Sequence, residues 1–201
     1  KIEVVILTRN RFNYLKESFN IIYTLIKKNK NIHLKISDNS KNNKIKLFFK
    51  NFSNLDLINF KYINRGGELS ANEHYDIIFS ESKYDYTIIF HDDDYINQNY
   101  FDQICKAIVN YPNAVAIGTN ANLIKNKKLT YKYSHYYNKN IEFKNKTHFL
   151  KQYLTGSDGI CPFPSYIYKT KYIKNIKYSK FDAGKHSDVI FLSNLLDNGS
   201  I

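Results

Sequence analysis

The sequence predicts an α/β fold built on a mostly parallel sheet with helices on both faces. Three observations carry this. Short apolar runs rich in β-branched residues (IEVVIL at 2–7, YTIIF at 86–90) alternate with segments whose apolar residues recur at helical spacing. Successive strands begin about 25–30 residues apart, the length of a βαβ unit. The runs are also apolar throughout rather than alternating, as in strands covered on both faces.

The elements follow in order. Residues 2–7 make the first strand, and Leu15, Phe19, Ile22 and Ile26 mark a helix over 12–28. A second strand over 32–37 ends in the turn-forming Asp38-Asn39-Ser40. A short helix over 45–52, a third strand over 56–63 and a helix over 68–80 lead to the fourth strand at 86–90. The next helix, 97–110, stops at Tyr111-Pro112, and a fifth strand is expected over 114–119. Beyond it the pattern is less regular. A hairpin over 122–133 turns at 125–128, and a short helix covers 147–155. A loop over 156–164 holds two glycines and two prolines. An amphipathic helix over 187–196 is closed by Asn198-Gly199. Another strand is expected to begin at Ile201, so the native chain is expected to run further, and the opening at Lys1 implies trimming in front. No repeat or linker divides the chain, so 1–201 reads as one domain.

Composition narrows the function. Of 201 residues, 43% are hydrophobic, 16% aromatic and 24% charged, enough for a sizeable core and against wholesale disorder. No apolar run reaches the ~18 residues of a membrane span, and no signal-peptide pattern opens the chain. Cys105 and Cys161 form neither a disulfide framework nor a CxxC metal site, which fits a reducing, cytoplasmic setting. Thirty basic against 18 acidic residues give a net charge of +12. Such a surplus suits an anionic partner: nucleic acid, a phosphate-bearing small molecule or a lipid surface. Nearly all the basic residues are lysines in an Asn- and Ile-rich chain, so a solvated lysine surface also accounts for the charge. Arg9, Arg11 and Arg65 are the exceptions, because bidentate anion contacts are hard to make with lysine.

In open parallel sheets, ligands bind outside the carboxyl ends of the strands, where strand order reverses. Four predicted strand ends carry polar groups: Thr8-Arg9-Asn10-Arg11, Asp38-Asn39-Ser40, Asn64-Arg65-Gly66-Gly67 and His91-Asp92-Asp93-Asp94. Together they outline one polar crevice that contains all three arginines. Three adjacent carboxylates repel one another, and a hard divalent cation relieves that repulsion. The alternative is a solvated turn of acids before a helix N-terminus. His91 reads as a hydrogen-bonded structural histidine or as a further metal ligand. Asp38 reads as an Asx-turn former or as a carboxylate accepting from a base or ribose. Arg65-Gly66-Gly67 reads as a flexible loop or as a close approach of backbone and charge to phosphate.

TRNR after the first strand, DNS after the second, NRGG and Ser70-Ala71-Asn72 before a helix, and HDDD after the fourth strand resemble, in that order, the family 2 glycosyltransferases of the GT-A fold. Gly184-Lys185-His186-Ser187-Asp188 matches the region of that family's catalytic base. The resemblance covers nearly the whole chain, the first hundred residues best. It implies a Rossmann-like GT-A domain over 1–201, with a nucleotide-sugar-binding half over 1–110 and a less regular acceptor-binding half over 111–201. The implied reaction is inverting transfer from a nucleotide-diphosphate sugar, here a UDP-sugar. Thr8, Asn10, Arg11 and Asp38 would lie at the nucleotide and Asp92 at the ribose. Asp93, supported by Asp94, would hold Mn²⁺ or Mg²⁺, Arg65 would stand beside the leaving group, and Asp188 would be the base. The sequence departs from the family in two places: Ser187 stands where Glu is common, and HDDD replaces a plain Asp-x-Asp. Asp188 also reads as an ordinary acid at the start of a helix capped by Ser187.

The implied acceptor is a glycan or lipid-linked glycan of the bacterial capsule or lipopolysaccharide type, with peripheral contact to an anionic inner leaflet. Tyr153, Phe163 and Tyr166 read as acceptor side or as core. A sugar-phosphate nucleotidyltransferase is the enzymatic alternative, but it would carry a Gly-rich loop after the first strand, where this chain has none. A non-catalytic nucleotide-binding domain is another. A nucleic-acid-binding protein is the remaining alternative, and against it, and against nucleic acid as a partner, stand the acidic cluster in the crevice and the lack of a binding motif.

Overall fold

A computed structural model describes residues 1–27, 29–50, 59–125, 128–133, 140–156, 160–181 and 183–201. The first half follows the expected alternation: β1 (Ile2–Thr8), α1 (Phe12–Ile26), β2 (Ile32–Asp38), α2 (Lys44–Lys50), β3 (Phe60–Asn64), α3 (Ala71–Glu81), β4 (Tyr86–His91) and α4 (Tyr100–Asn110). The expected ends of the first two helices (28, 51–52), the start of the third strand (56–58) and parts of the hairpin turn and of the 156–164 loop lie outside the described residues. β1 pairs in parallel with β2 and β4, and β2 with β3. The chain thus works outward from β1 to β3 and then returns to the other side of β1. That reversal puts the switch point between β1 and β4.

Local chemistry sets the boundaries that differ from expectation. α3 starts at Ala71 rather than 68 because Gly66 and Gly67 take φ of 81° and 84°, and Ser70 then caps the helix. Ser70 Oγ accepts from the Glu73 N–H while the Glu73 carboxylate accepts from the Ser70 N–H, a complete capping box. Only glycine fits at position 67, where a Cβ would lie 2.4 Å from Lys41 Cγ and 2.9 Å from Lys41 N. α4 starts at Tyr100 rather than 97 because Asn97 Oδ1 accepts from the Asn99 N–H and holds a turn there.

The second half departs further. The expected fifth strand is only β5 (Ala116–Ile117), and it does not touch β4. Between them runs a strand absent from the sequence reading, numbered β8 (Ile167–Lys169) in chain order and antiparallel to both neighbours. The six-stranded order is therefore β3-β2-β1-β4-β8-β5. The hairpin forms as β6 (Asn122–Lys125) and β7 (Lys128–Tyr133), apart from the main sheet. α5 (Lys146–Thr155), α6 (Thr170–Ile173), α7 (Ser187–Leu195) and three 3₁₀ turns complete the described chain.

α7 is not amphipathic: Ser187, Val189, Phe191, Leu192, Ser193 and Leu195 are all buried. Nor does Gly199 close it. The helix ends at Leu195 with Leu196 as its cap, and Gly199 lets the chain pass Val115 and Asn113, where a Cβ would meet Val115 Cγ1 at 2.7 Å. Ser200 then bridges Ala114 in parallel, and Ile201 exchanges both backbone hydrogen bonds with Phe143. Where another strand was expected to begin, the described chain makes only this isolated bridge and these two bonds.

Two cores sandwich the sheet. Val4, Ile6, Ile36, Ile88 and Phe90 pack under α1, α2 and α4. Val5, Leu7 and Ile89 pack under α3, α5 and α7 with the aromatic residues of 143–191. Among the described residues, no helix is long and apolar enough to cross a membrane.

Candidate active site

The four polar strand ends converge, and side chains lace them together. At the switch point, Thr8 Oγ1 donates to Asp92 Oδ2 at 2.7 Å, tying the end of β1 to the turn after β4. Asn10 adopts the left-handed region (φ 59°), which an Asn tolerates better than most residues. Its N–H donates to Ser40 Oγ, and its Oδ1 accepts from Asn42 Nδ2 at 3.0 Å. Arg9 donates from both Nη atoms to the carbonyls of Gly67 and Leu69, and Asn39 Nδ2 donates to Leu69 O as well. Arg9 thus builds the rim of the crevice by binding backbone.

Asp38 makes the Asx contact that the sequence offered, but from a buried position. β2 continues through it, and its side chain is fully buried, so it does not sit on an exposed turn. Its Oδ1 accepts from the Ser40 N–H and its Oδ2 from the Tyr62 hydroxyl at 2.7 Å. Burial raises the Tyr62 phenol pKa first, and the Asp38 carboxylate adds to it. Arg65 is engaged by protein groups. Its Nη1 and Nη2 donate to the two oxygens of Glu81 at 2.7 and 2.5 Å, and its Nε donates to Ser37 Oγ. A guanidinium in a bidentate pair is committed, and this one clamps β3 to the last turn of α3.

The arginine beside the carboxylates is Arg11. Its Nη1 lies 3.1 Å from Asp92 Oδ1, its Nη2 lies 2.6 Å from Asp93 Oδ2, and its guanidinium stacks over Tyr14. Asp92 is 2% exposed; burial raises its pKa, and Thr8 and Arg11 oppose that rise. Asp93 is half-exposed, and Asp94 closes the turn by accepting from the His91 N–H. Burial raises the Asp94 pKa and the charge of Asp93 adds to it, while His91 opposes. Such carboxylates gain from a cation. His91, Asp93 and Asp94 each offer a ligand atom, all within 4.8 Å of one another, and this donor set fits a divalent ion. Asp92 is not in the cluster, because it is turned to Thr8. His91 is, although the sequence left its role open.

Asp188 is half-buried in the first turn of α7, and its Oδ1 accepts from the Val189 N–H. Ser187 does not cap the helix. Its Oγ donates back to Gly184 O and accepts from the Ala183 N–H, so it stitches the preceding 3₁₀ turn. Burial raises the phenol pKa values of Tyr75, Tyr166, Tyr168 and Tyr178, and the charge of Asp188 adds to each. The charge of Asp94 adds to the rise at Tyr75 as well. Tyr166 is core, Phe163 packs partly buried against it, and Tyr153 donates to or accepts from His186 Nδ1 at 2.6 Å. A cavity of about 720 Å³ between α4, β5 and residues 140–143 is lined in part by Tyr166 and by none of the residues expected at the nucleotide, the metal or the base.

Sequence reasoning missed Tyr62, Asn39 and Tyr75. Each is a residue type that reads as core or turn until the strand ends are assembled.

Comparison with known proteins matches this geometry to a family. The chain aligns over 98% of its length, at TM-score 0.66 and 13% identity, with residues 1–349 of TarS from S. aureus, of which it spans 56%. A complex of the same TarS fragment with UDP-GlcNAc aligns over 87% of the chain and 47% of that protein, at TM-score 0.57 and 15% identity. The mannosyltransferase PcManGT from Pyrobaculum calidifontis, bound to GDP-Man and Mn²⁺, aligns over 62% and 35%, at 0.50 and 10%. At these identities the likeness is one of fold, the GT-A arrangement. No curated protein matches the chain by sequence. The sequence profile of glycosyl transferase family 2 matches residues 3–176, and the chain belongs to that family.

Proposed function

We propose that this protein transfers a sugar, with inversion, from a UDP-sugar to a hydroxyl of a glycan or lipid-linked glycan, with a divalent cation bound in the crevice. The observation that carries the reading is the convergence of His91, Asp93 and Asp94 at the end of β4. Structural neighbours that bind UDP-GlcNAc, or GDP-Man with Mn²⁺, support it.

In this reading residues 1–110 hold the donor and 111–201 the acceptor. Thr8, Asn10 and Asp38 shape the nucleotide end; Thr8 and Asp38 act through buried hydrogen bonds that fix the strand ends. Asp92 and Arg11 form the wall next to the ribose and diphosphate. Asp93 and Asp94 would hold Mn²⁺ or Mg²⁺ at the diphosphate end, and the ion would supply charge neutralisation for the leaving diphosphate. Arg65 is left out of the reaction, since Glu81 holds it. Asp188 accepts the proton of the acceptor hydroxyl as that oxygen attacks the anomeric carbon.

Release of UDP from a panel of UDP-sugars, with Mn²⁺ and with EDTA, tests the reading. Metal-dependent release from one donor is expected. Binding of UDP without release from any donor points instead to a non-catalytic binder. Peripheral membrane contact is part of the proposal: the β6–β7 hairpin exposes Leu123, Ile124 and Leu129 beside Lys125 and Lys128. Vesicles with anionic lipid should retain the protein at low but not high salt, and equal retention by neutral vesicles counts against an electrostatic contact.

A further inference from the structure

We propose that His91 is a nitrogen ligand of the cation in this crevice, and that Tyr75 is the positioning residue that presents its Nδ1. The inference rests on the metal-dependent reading above and deepens it by naming a third ligand and the side chain that aims it.

Alternation along β4 places His91 on the same face as Ile89, the face covered by α3. There the ring meets Tyr75, with its Nε2 2.7 Å from the Tyr75 hydroxyl and the two rings edge to face. The other nitrogen, Nδ1, lies 3.8 Å from Asp94 Oδ2, on the side of the clustered carboxylates. The main chain fixes the same geometry, since the His91 N–H donates to Asp94 Oδ2. Tyr75 is itself held firmly. It is 8% exposed and packs against the rings of Phe79, Phe163 and Tyr178 at 4.8–6.1 Å between centroids.

The chemistry of the pair suits this role. A ligating imidazole must present a bare nitrogen, and its other nitrogen then carries the proton and donates it to a partner that fixes the tautomer. A phenol both donates and accepts. With Nε2 protonated, the Tyr75 oxygen accepts and Nδ1 is bare toward Asp93 and Asp94. With Nδ1 protonated toward Asp94, the phenol donates to Nε2 instead. One rigid contact serves both tautomers without turning the ring. A carboxylate in the place of Tyr75 would accept only. The structural histidine and the metal ligand are thus one residue, with a nitrogen for each part.

A nitrogen donor also tunes the choice of ion. Mg²⁺ prefers oxygen and water, whereas Mn²⁺ and Co²⁺ accept imidazole more readily. His91 should therefore favour Mn²⁺ over Mg²⁺ beyond what two carboxylates give.

Pulsed electron paramagnetic resonance of the whole chain loaded with Mn²⁺, alone and with UDP, tests this without relying on activity. The expected spectrum has the ¹⁴N coupling of one coordinated imidazole, together with ³¹P coupling once UDP is added. The nitrogen coupling should vanish in His91→Ala and persist in His148→Ala. Tyr75→Phe keeps the ring packing and removes only the hydroxyl. It should weaken Mn²⁺ binding about 10–100-fold, the usual cost of losing such a partner, and alter the nitrogen coupling. Bound Mn²⁺ with ³¹P coupling and no nitrogen coupling overturns the role of His91 while leaving the carboxylate site intact. Mn²⁺ affinity and coupling unchanged in Tyr75→Phe overturn the role of Tyr75. Absence of Mn²⁺ binding with and without UDP overturns this inference and the metal-dependent reading together.

Discussion

On one face of the sheet, α1, α2 and α4 cover Val4, Ile6, Ile36 and Ile88 mostly with aliphatic side chains and phenylalanines, with Tyr100 the one buried tyrosine among the described residues of that cluster. On the other face the covering is polar at one end and phenolic at the other. Under β2, that face buries the Glu3–Lys35 ion pair at 2.8 Å, and Ser37 with its partners His74 and Arg65. Under β4 and β8, it buries Tyr75, Tyr166, Tyr168 and Tyr178. Burial of aliphatic side chains supplies stability without direction, at roughly 25 cal/mol per Å² of apolar area. A tyrosine supplies the same apolar ring with a polar tip that must be placed. The first face is therefore an anchor. The second, with the Tyr75 hydroxyl on His91, is part of the apparatus it supports.

The largest expected effect separates the two ends of the crevice. Asp188→Asn keeps the size of the side chain and removes its basicity, so sugar transfer should fall by roughly 10²–10⁴-fold, the usual scale for a lost general base. Binding of UDP and Mn²⁺ should match the parent, because the donor end is built from β1, β2 and β4. Unchanged transfer would place the base elsewhere, with His186 and the HDDD acids next in line. Loss of donor binding as well would mean that the phenolic face and the crevice are not separable.

A second effect is on the polar end of that face and is read through pH. His74 is buried against Ser37 Oγ at 2.7 Å, and burial lowers its pKa to about 4, helped by the charges of Arg65 and Arg9. The unfolded chain takes up a proton on this residue below about 6.5, whereas the folded chain does not. Its stabilising contribution is thus complete above pH 6.5 and is lost as pH falls toward 4, up to about 3 kcal/mol. His74→Gln removes that titration, so urea unfolding midpoints should decline less between pH 6.5 and 4 than in the parent. Equal decline in both proteins would assign the acid sensitivity to other groups.

These contrasts also explain what the sequence made legible. The order from β1 to α4 was readable because parallel βα units repeat one pattern: an apolar run, a polar end and an amphipathic helix. The crevice was readable for the same reason, since each strand end is local in sequence. β8 was not readable. Three residues, Ile167–Lys169, carry no period, and only pairing with β4 and β5 makes them a strand. Asp38 reads as an exposed turn former until Tyr62, 24 residues away, closes over it. Arg65 reads as a free cation because its partner Glu81 stands at the far end of a helix. Tyr75 reads as core, and it is core. Its hydroxyl gains a purpose only when β4 places His91 beside it.

The smallest effect concerns α3, which touches both the rim of the crevice and the phenolic core. Ser70→Ala breaks its capping box, which normally costs about 1 kcal/mol, or a drop of about 2–4 °C in Tm for a chain of this size. The loop before the helix should hold regardless, because Arg9 and Asn39 bind the Leu69 carbonyl from the other side. Tyr75 should stay in place too, fixed by Phe79, Phe163 and Tyr178 rather than by the helix start. Differential scanning calorimetry should therefore show the loss, while Mn²⁺ affinity and sugar transfer remain at parental values. If instead donor binding weakened about tenfold in this variant, the cap rather than the Arg9 and Asn39 contacts would set the shape of the rim. The crevice would then depend on the stability of α3, and the division between anchoring face and working face would have to be drawn along the helix itself.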